Sequence, residues 1–190
     1  MIDIGAGTID ICGMKGMVPT PDDQATIKKA GDHIDEELAS AIALKYPGVQ
    51  ITKSVARGIK EKHSFVGEIN KPVMATLRMQ GKPVEYNVSE EIKNVCENIV
   101  PDIMERLDTL IMKFDPEDQE ETLKNIFLAG GGSNILGLDR MIADQLKDFG
   151  DVVVTRVNDP EFIGCAGALK LAGDIPSDQW KQIGTMFGNS

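Results

Sequence analysis

The chain has 190 residues, a length that predicts one domain, or one domain with an appended subdomain. It carries 20 Lys and Arg against 30 Asp and Glu, which gives a formal net charge of −10. This balance argues against nucleic acid or an anionic membrane surface as a partner, because binding phosphates needs clustered cations. The three cysteines are odd in number and far apart, a pattern typical of a reducing compartment. No apolar run is long enough for a membrane span, so we expect a soluble, cytoplasmic chain.

The start of the chain predicts two short strands and a helix. Residues 1–4 read as the end of a strand, and apolar residues alternate again over 9–11, after a glycine-rich turn. A helix is expected over about 32–46, with Asp32 as its N-cap and Pro47-Gly48 as its stop.

The middle of the chain predicts a small inserted α+β subdomain over residues 47–88. A short helix over about 55–63 precedes two alternating segments, and Gln80-Gly81-Lys82 between them indicates a hairpin. The expected organisation is an inner subdomain formed by 1–46 and 89–175, the outer subdomain 47–88, and a C-terminal tail over 176–190. Trp180 is the residue expected to dock that tail.

A long helical pattern follows the inserted block. It begins at Ser89, the expected N-cap, and ends near Phe114, and Pro101 predicts that it is kinked or divided. Residues 115–118 are acidic and are expected to form a connection between elements.

The last third predicts a strand, a turn and a helix, twice over. The first strand covers 125–129, and the helix after it is expected to point its apolar residues inward as far as Phe149. Residues 152–154 predict a buried strand, and the small-residue helix over about 165–172 is expected to bury Cys165.

The first glycine-rich turn, Gly5-Ala6-Gly7-Thr8, lies between two strands. This position excludes the dinucleotide fingerprint and the P-loop, which both need a helix N-terminus under the phosphates. A hairpin turn can still direct successive N–H groups at one phosphate, with a hydroxyl donor from Thr8 and a hydrated Mg²⁺ beside Asp3. From these residues alone, an ordinary glycine hairpin with an incidental aspartate is an equally good interpretation.

Two further turns permit close approach of a ligand. Gly130-Gly131-Gly132-Ser133 links a strand to a helix, and its bare backbone allows a flat ligand such as adenosine to lie against it. Gly31 precedes the first helix. Taken singly, each turn is better interpreted as a plain strand-to-helix turn or helix cap.

Taken together, four segments resemble the nucleotide-binding motifs in the second half of the actin-like ATPases. These are Asp-Ile-Gly-Ala-Gly-Thr-Ile-Asp at 3–10, Lys-Ala-Gly-Asp-His-Ile-Asp-Glu at 29–36, Gly-Ile-Lys-Glu-Lys-His-Ser-Phe-Val at 58–66 and Leu-Ala-Gly-Gly-Gly-Ser at 128–133. Within that superfamily, Gly-Cys-Ala-Gly-Ala-Leu at 164–169 is similar to the magnetosome-filament branch of the MreB-like bacterial actins. The resemblance implies an α/β, RNase H-like fold: a mixed central sheet flanked by helices, with a small outer subdomain.

The resemblance also implies a site for ATP or ADP with Mg²⁺. The residues it implies are Asp3, Gly5, Ala6, Gly7, Thr8, Gly31, Asp35, Lys60, Glu61, Gly130, Gly131, Gly132 and Ser133, with Asp3 holding Mg²⁺ through water. The first phosphate loop of this superfamily and the other half of its cleft have no counterpart in these residues. We therefore expect weak or no nucleotide binding, and no hydrolysis, by the chain alone.

The partners implied are full-length actin-like filament subunits, or further copies of the chain, in a cytoplasmic cytoskeleton. Two alternatives remain open from the sequence. One is half of an ATPase that another polypeptide completes, and the other is a nonfunctional fragment of a longer filament-forming protein.

Overall fold

The computed structural model describes residues 1–15 and 19–176. The strands are β1 (Ile2–Ile4), β2 (Ile9–Cys12), β3 (Gln24–Ile27), β4 (Val49–Gln50), β5 (Met74–Met79), β6 (Lys82–Asn87), β7 (Ile126–Ala129) and β8 (Val154–Arg156). The helices are α1 (Gly31–Lys45), α2 (Lys53–His63), α3 (Ser89–Glu97), α4 (Val100–Ile111), α5 (Pro116–Leu123), α6 (Leu138–Leu146) and α7 (Ile163–Asp174). Within the described ranges no helix is long and apolar enough to cross a membrane. Trp180 and nearly all of the expected tail lie outside these ranges.

A five-stranded mixed sheet forms the centre of the fold. Its order is β3-β2-β1-β7-β8; β1, β2 and β3 are antiparallel neighbours, whereas β7 runs parallel to β1 and β8 runs parallel to β7. Helix α4 packs on β2 and β3, α6 packs on β8, and α1 lies against α2 and α3. The expected α/β architecture, a mixed sheet flanked by helices, is confirmed.

A second, three-stranded sheet has the order β4-β5-β6 and lies within residues 47–88. Its turn places Gln80 and Gly81 at φ values of 49° and 78°, as a tight hairpin requires. The Tyr46 hydroxyl donates to the Asn87 carbonyl at 2.6 Å, so the end of α1 is tied to the end of β6. Ala75 and Leu77 of β5 belong to the same apolar cluster as β1, so a single core runs through both sheets.

The long helical pattern is divided, as Pro101 predicts. Helix α3 ends at Glu97 and α4 begins at Val100, which places the proline in the first turn, where its missing N–H costs no hydrogen bond. The expectation that Ser89 caps α3 is wrong, because Val88 is the N-cap. The Ser89 hydroxyl instead accepts the backbone N–H of Val73 at 2.8 Å.

The expected acidic connection is wrong, because residues 116–123 form helix α5. Pro116 starts the helix, a position that suits its fixed φ. Glu117 and Asp118 then lie in the first turn, where the positive end of the helix dipole stabilises carboxylates.

The predicted burial at the end of the chain is also wrong. β8 is an edge strand, and Val153 beside it is 49% exposed. Phe149 and Cys165 are exposed as well, and none of the residues of α7 is buried by the described part of the chain. Val152 and Val154 are only partly buried against the core, and the described residues leave Val153, Phe149 and α7 uncovered.

Candidate nucleotide-binding cleft

The loop between β1 and β2 is a tight hairpin turn. Gly5 N–H donates to the Thr8 carbonyl at 2.9 Å and closes the turn. Among the described residues, neither Ala6 nor Gly7 donates its N–H to a backbone acceptor, and both residues are exposed. Two neighbouring N–H groups are therefore free to bind an anion on the outer side of this loop.

The start of α1 is joined to the same loop by two backbone hydrogen bonds. Gly31 N–H donates to the Gly5 carbonyl at 3.1 Å, and Asp32 N–H donates to the Ala6 carbonyl at 2.7 Å. The expectation that Asp32 is the N-cap is therefore wrong: it lies inside α1, and the hairpin carbonyls satisfy the first donors of the helix. A Cβ at Gly31 would lie 3.1 Å from the Gly5 carbonyl oxygen, so the close approach favours glycine.

A buried ion network joins α1 to α2 beneath this loop. Asp35 is fully buried, and its Oδ2 accepts from Arg57 Nε at 2.8 Å. Lys60 Nζ lies 2.7 Å from Asp35 Oδ1 as an ion contact and donates to the Gly31 carbonyl at 2.9 Å. The second guanidinium contact of Arg57 is to Asp32 Oδ1 at 2.6 Å. Asp35 is thus enclosed by cations of its own chain.

Asp3 lies directly opposite Asp10 in the register of β1 and β2. Two hydroxyls hold Asp10 in place: Thr8 donates at 2.7 Å and Thr26 at 2.6 Å. Burial, and after it the charge of Asp10, raise the pKa of the Asp3 carboxyl above its usual value. Because like charges face each other here, a cation bound beside Asp3 would relieve the repulsion.

The triple-glycine turn after β7 packs tightly against β1. Gly130 has φ of +75°, and a Cβ there would collide with Asp3 Oδ1 and with the Ile4 carbonyl. A Cβ at Gly132 would collide with the Ile4 side chain. Ser133 is buried and donates its hydroxyl to the Gly130 carbonyl at 2.7 Å, which closes the turn.

These segments line one cleft of about 530 Å³. The sequence-predicted residues that it brings together are Gly5, Ala6, Gly31, Asp35, Lys60, Glu61, Gly131 and Gly132. Five others do not line it, namely Asp3, Gly7, Thr8, Gly130 and Ser133. All five belong to the β1-β2 hairpin or to the triple-glycine turn, the two segments that contribute Gly5, Ala6, Gly131 and Gly132 to the cleft.

The cleft also contains polar residues that the sequence reasoning missed. Arg57 precedes Lys60 by three residues on α2, so helical spacing alone places the two on one face. Glu161 lies five residues after the end of β8. Because β7 and β8 are parallel, their carboxyl ends meet at the edge where the glycine turn lies. Asn134 donates toward Glu161 Oε1 at 3.5 Å.

Comparison with known proteins assigns the family. A family model described as MreB/Mbl protein matches residues 1–178. The actin-like protein MamK of Paramagnetospirillum magneticum is 47% identical over 189 residues, which are 100% of this chain and 54% of that protein. The chain thus spans about half the length of the curated relatives it matches.

Two solved MamK structures have the same fold. A MamK double helical filament is 48% identical, with a TM-score of 0.89, over 92% of this chain and 54% of that one. A non-polymerising MamK mutant bound to AMPPNP is also 48% identical, with a TM-score of 0.85, over 91% and 53%. The expected resemblance to actin-like proteins and the expected fold are both confirmed. The chain belongs to the MreB/Mbl protein family.

Proposed function

We propose that the cleft binds ATP or ADP with Mg²⁺ and that the chain acts in association with actin-like filament subunits. The observation that carries this proposal is the convergence of the hairpin loop, the start of α1, the end of α2 and the triple-glycine turn on one cleft. The AMPPNP-bound MamK mutant of the same fold supports it.

The phosphates are assigned to the hairpin. The free N–H groups of Ala6 and Gly7 fit an anion, and the turn held by Gly5 and Thr8 presents them together. The N-terminus of α1 lies under the loop and adds the positive end of its dipole. The Thr8 hydroxyl is already bound by Asp10, so we assign Thr8 a contribution through its backbone.

Mg²⁺ is assigned to Asp3 through a bound water. Within the described residues, no group of three or more His, Cys, Asp or Glu is arranged to hold a metal ion. Phosphate oxygens and water would therefore complete the coordination of the ion, as Mg²⁺ generally requires. When bound, the ion would neutralise phosphate charge and the facing pair of Asp3 and Asp10.

The nucleoside is assigned to the opposite wall of the cleft. Gly131 presents bare backbone there, and Gly132 lines the wall beside it. Glu61 and Gly31 flank the space. Gly130 and Ser133 stabilise the turn without lining the cleft. Gly130 packs closely against β1, and Ser133 is buried and donates to the Gly130 carbonyl. Lys60 and Asp35 complete the wall as the ion network described above.

Weak binding and no turnover are expected of the chain alone. The cleft residues of this chain would contact a nucleotide from one side only, so we expect weak binding. Hydrolysis also requires the attacking water and the γ-phosphate to be positioned together, so we expect no turnover. The solved relatives with this fold are about twice as long. We therefore expect a dissociation constant of about 1 mM or weaker for the nucleotide.

Nucleotide titration tests the site. We expect a fluorescent ATP analogue with Mg²⁺ to bind weakly, with Asp3→Ala abolishing the signal. Asp148→Ala, which removes an acid outside the cleft, is the matched control and should bind as the unmodified chain does. Binding that survives Asp3→Ala would contradict the assignment of Asp3.

Association is tested separately. MamK forms a double helical filament, and we propose that this chain joins, caps or modulates such cytoplasmic, cytoskeletal filaments, or associates with itself. Full-length MamK polymerised with ATP should carry the chain into the pellet on sedimentation, or change filament length in micrographs. If the chain neither pellets with the filaments nor changes their length, this part of the proposal is wrong.

A second candidate function is half of an ATPase that another polypeptide completes. The specific observation in its favour is α7, whose Leu169 and Leu171 are 76% and 65% exposed although the helix is largely apolar. Mixing the chain with the first half of a MamK should then restore ATP hydrolysis that neither part shows alone. If hydrolysis, nucleotide binding and co-pelleting all fail, the results favour the remaining alternative, a nonfunctional fragment of a longer filament-forming protein.

A further inference from the structure

The ammonium of Lys60 is already occupied by protein atoms. Its side chain is 16% exposed, and Nζ contacts Asp35 Oδ1 at 2.7 Å and the Gly31 carbonyl at 2.9 Å. The ammonium has three N–H donors, and both of its close oxygen contacts belong to its own chain. Its position at the wall of the cleft therefore suggests a different task.

The hydrogen bonds of Gly31 indicate this other role of Lys60. Its carbonyl accepts from Lys60, and its N–H donates to the Gly5 carbonyl of the hairpin at 3.1 Å. The next N–H, that of Asp32, donates to the Ala6 carbonyl at 2.7 Å. A continuous set of contacts thus runs from the buried carboxylate of Asp35 through Lys60 to the loop that presents the free N–H groups.

We propose that Asp35 is a positioning residue that holds Lys60 as a clamp on the start of α1, and so fixes the Gly5-Ala6-Gly7 loop for an anion before any nucleotide binds. The inference rests on the proposed function only for the identity of that anion. Neither Asp35 nor the Lys60 ammonium is then a nucleotide ligand.

Burial explains why the clamp needs both cations. A fully buried carboxylate is tolerated only when it is paired, and Asp35 has Lys60 on one oxygen and Arg57 on the other. Arg57 is 47% exposed along its side chain and also contacts Asp32. It therefore holds Asp35 from the solvent side, while Lys60 transmits the contact to Gly31.

The clamp also connects the loop to the second sheet. Lys60 and Arg57 belong to α2, which begins only three residues after β4 ends. The hairpin loop and the β4-β5-β6 sheet are thereby linked through one helix. Loosening the clamp should loosen the loop without unfolding the central sheet.

Amide hydrogen exchange of the full 190-residue chain without nucleotide tests the clamp. Lys60→Met keeps the apolar stem and removes the ammonium. We expect the Gly31 and Asp32 amides to exchange about tenfold faster, the order of effect of losing one charge-assisted hydrogen bond, while amides of β1 and β7 keep their rates. Lys62→Met is the matched control, because Lys62 lies on α2, is exposed and forms no ion pair with any described residue; it should leave both amides unchanged.

A double variant separates positioning from stability. Asp35→Asn alone leaves the Lys60 ammonium without its counter-ion and could unfold the chain. Asp35→Asn combined with Lys60→Met removes both charges and should recover much of the stability. Fast exchange at Gly31 and Asp32 should persist in the double variant. Inorganic pyrophosphate with Mg²⁺ should bind both Lys60 variants at least about threefold more weakly than the unmodified chain.

Three results would overturn the clamp: normal protection of Gly31 and Asp32 in Lys60→Met, equal acceleration in β1 and β7, or recovery of both amides in the double variant. The exchange experiment contains no nucleotide. A chain that binds no ATP but shows the local acceleration would refute the proposed function and retain the clamp. If the chain binds ATP but Lys60→Met leaves exchange at Gly31 and Asp32 unchanged, the proposed function stands and the clamp is refuted.

Discussion

Gly130 illustrates how a residue can belong to a binding motif for reasons of packing. Its φ is +75°, and the space for a Cβ is filled by Asp3 and by the backbone of Ile4. Gly131, in contrast, has its nearest neighbour for a Cβ at 3.8 Å, on the Glu161 side chain. At the residue scale, therefore, Gly130 serves the contact with β1 and Gly131 leaves the cleft wall bare.

We predict that Gly130→Ala destabilises the chain by about 2–4 kcal/mol, because it combines a left-handed backbone with a steric collision. Gly131→Ala is the matched control and should change the free energy of unfolding by less than about 1 kcal/mol. Urea denaturation followed by circular dichroism measures both. Equal losses in the two variants would contradict this distinction.

The facing pair of Asp3 and Asp10 gives the chain a dependence on pH. The pKa of Asp3 is raised in the folded chain, first by burial and then by Asp10. Asp3 therefore favours folding while it is protonated, below its ordinary carboxyl pKa. This contribution is lost as the pH rises through the folded-state pKa, after which the ionised pair opposes folding.

We predict that Asp3→Asn increases the free energy of unfolding at pH 7 by about 0.2–1 kcal/mol, the range for an unfavourable cross-strand pair. The gain should shrink as the pH falls toward 4. Urea midpoints at the two pH values measure it, with Asp148→Asn as an exposed control outside the hairpin. A gain that is independent of pH would rule out charge repulsion as its cause.

At the scale of elements, apolar spacing places a helix or strand but does not say what covers it. The division at Pro101 was predictable, because a proline fits only the first turn of a helix. α5 was missed because its acids suggest a solvated connection, whereas Pro116 and the first-turn carboxylates are also favourable at a helix start.

Burial was the harder property to predict. Residues 152–154 were expected to be buried because they are apolar, yet at this edge of the sheet Val153 is exposed and Val152 and Val154 are only partly buried. In the cleft, the family resemblance implied Lys60 and Asp35, but only the packing of α1 on α2 shows that Asp35 is fully buried. Both outcomes depend on which neighbour an element meets, and a single sequence does not contain that information directly.

The hairpin of the second sheet offers a test of local turn chemistry. Gln80 has φ of 49°, a left-handed conformation that asparagine tolerates better than glutamine. We predict that Gln80→Asn stabilises the chain by up to about 1 kcal/mol in urea denaturation. Lys82→Asn, on the strand after the turn, is the control and should not increase the free energy of unfolding. An increase in this control, or no increase in Gln80→Asn, would contradict the role assigned to the turn geometry.

At the scale of the whole molecule, the charge and the uncovered apolar surface act in opposite directions. A net charge of −10 opposes self-association through repulsion. Helix α7 presents Leu169 and Leu171 to solvent, and exposed apolar surface of this kind favours association. The relatives that share the fold are about twice as long, so in them more protein is available to cover such a helix.

We predict that Leu169→Glu with Leu171→Glu leaves the urea midpoint unchanged, because neither side chain is buried by the described residues. The double variant should bind less of an apolar fluorescent dye and scatter less light at high concentration. Lys170→Glu is the matched control, since it also shifts the charge by two units on the same helix but removes no exposed leucine. If that control lowers dye binding equally, net charge is the cause. If the double variant lowers the midpoint, α7 is packed in solution and the case for a completing polypeptide loses its structural support.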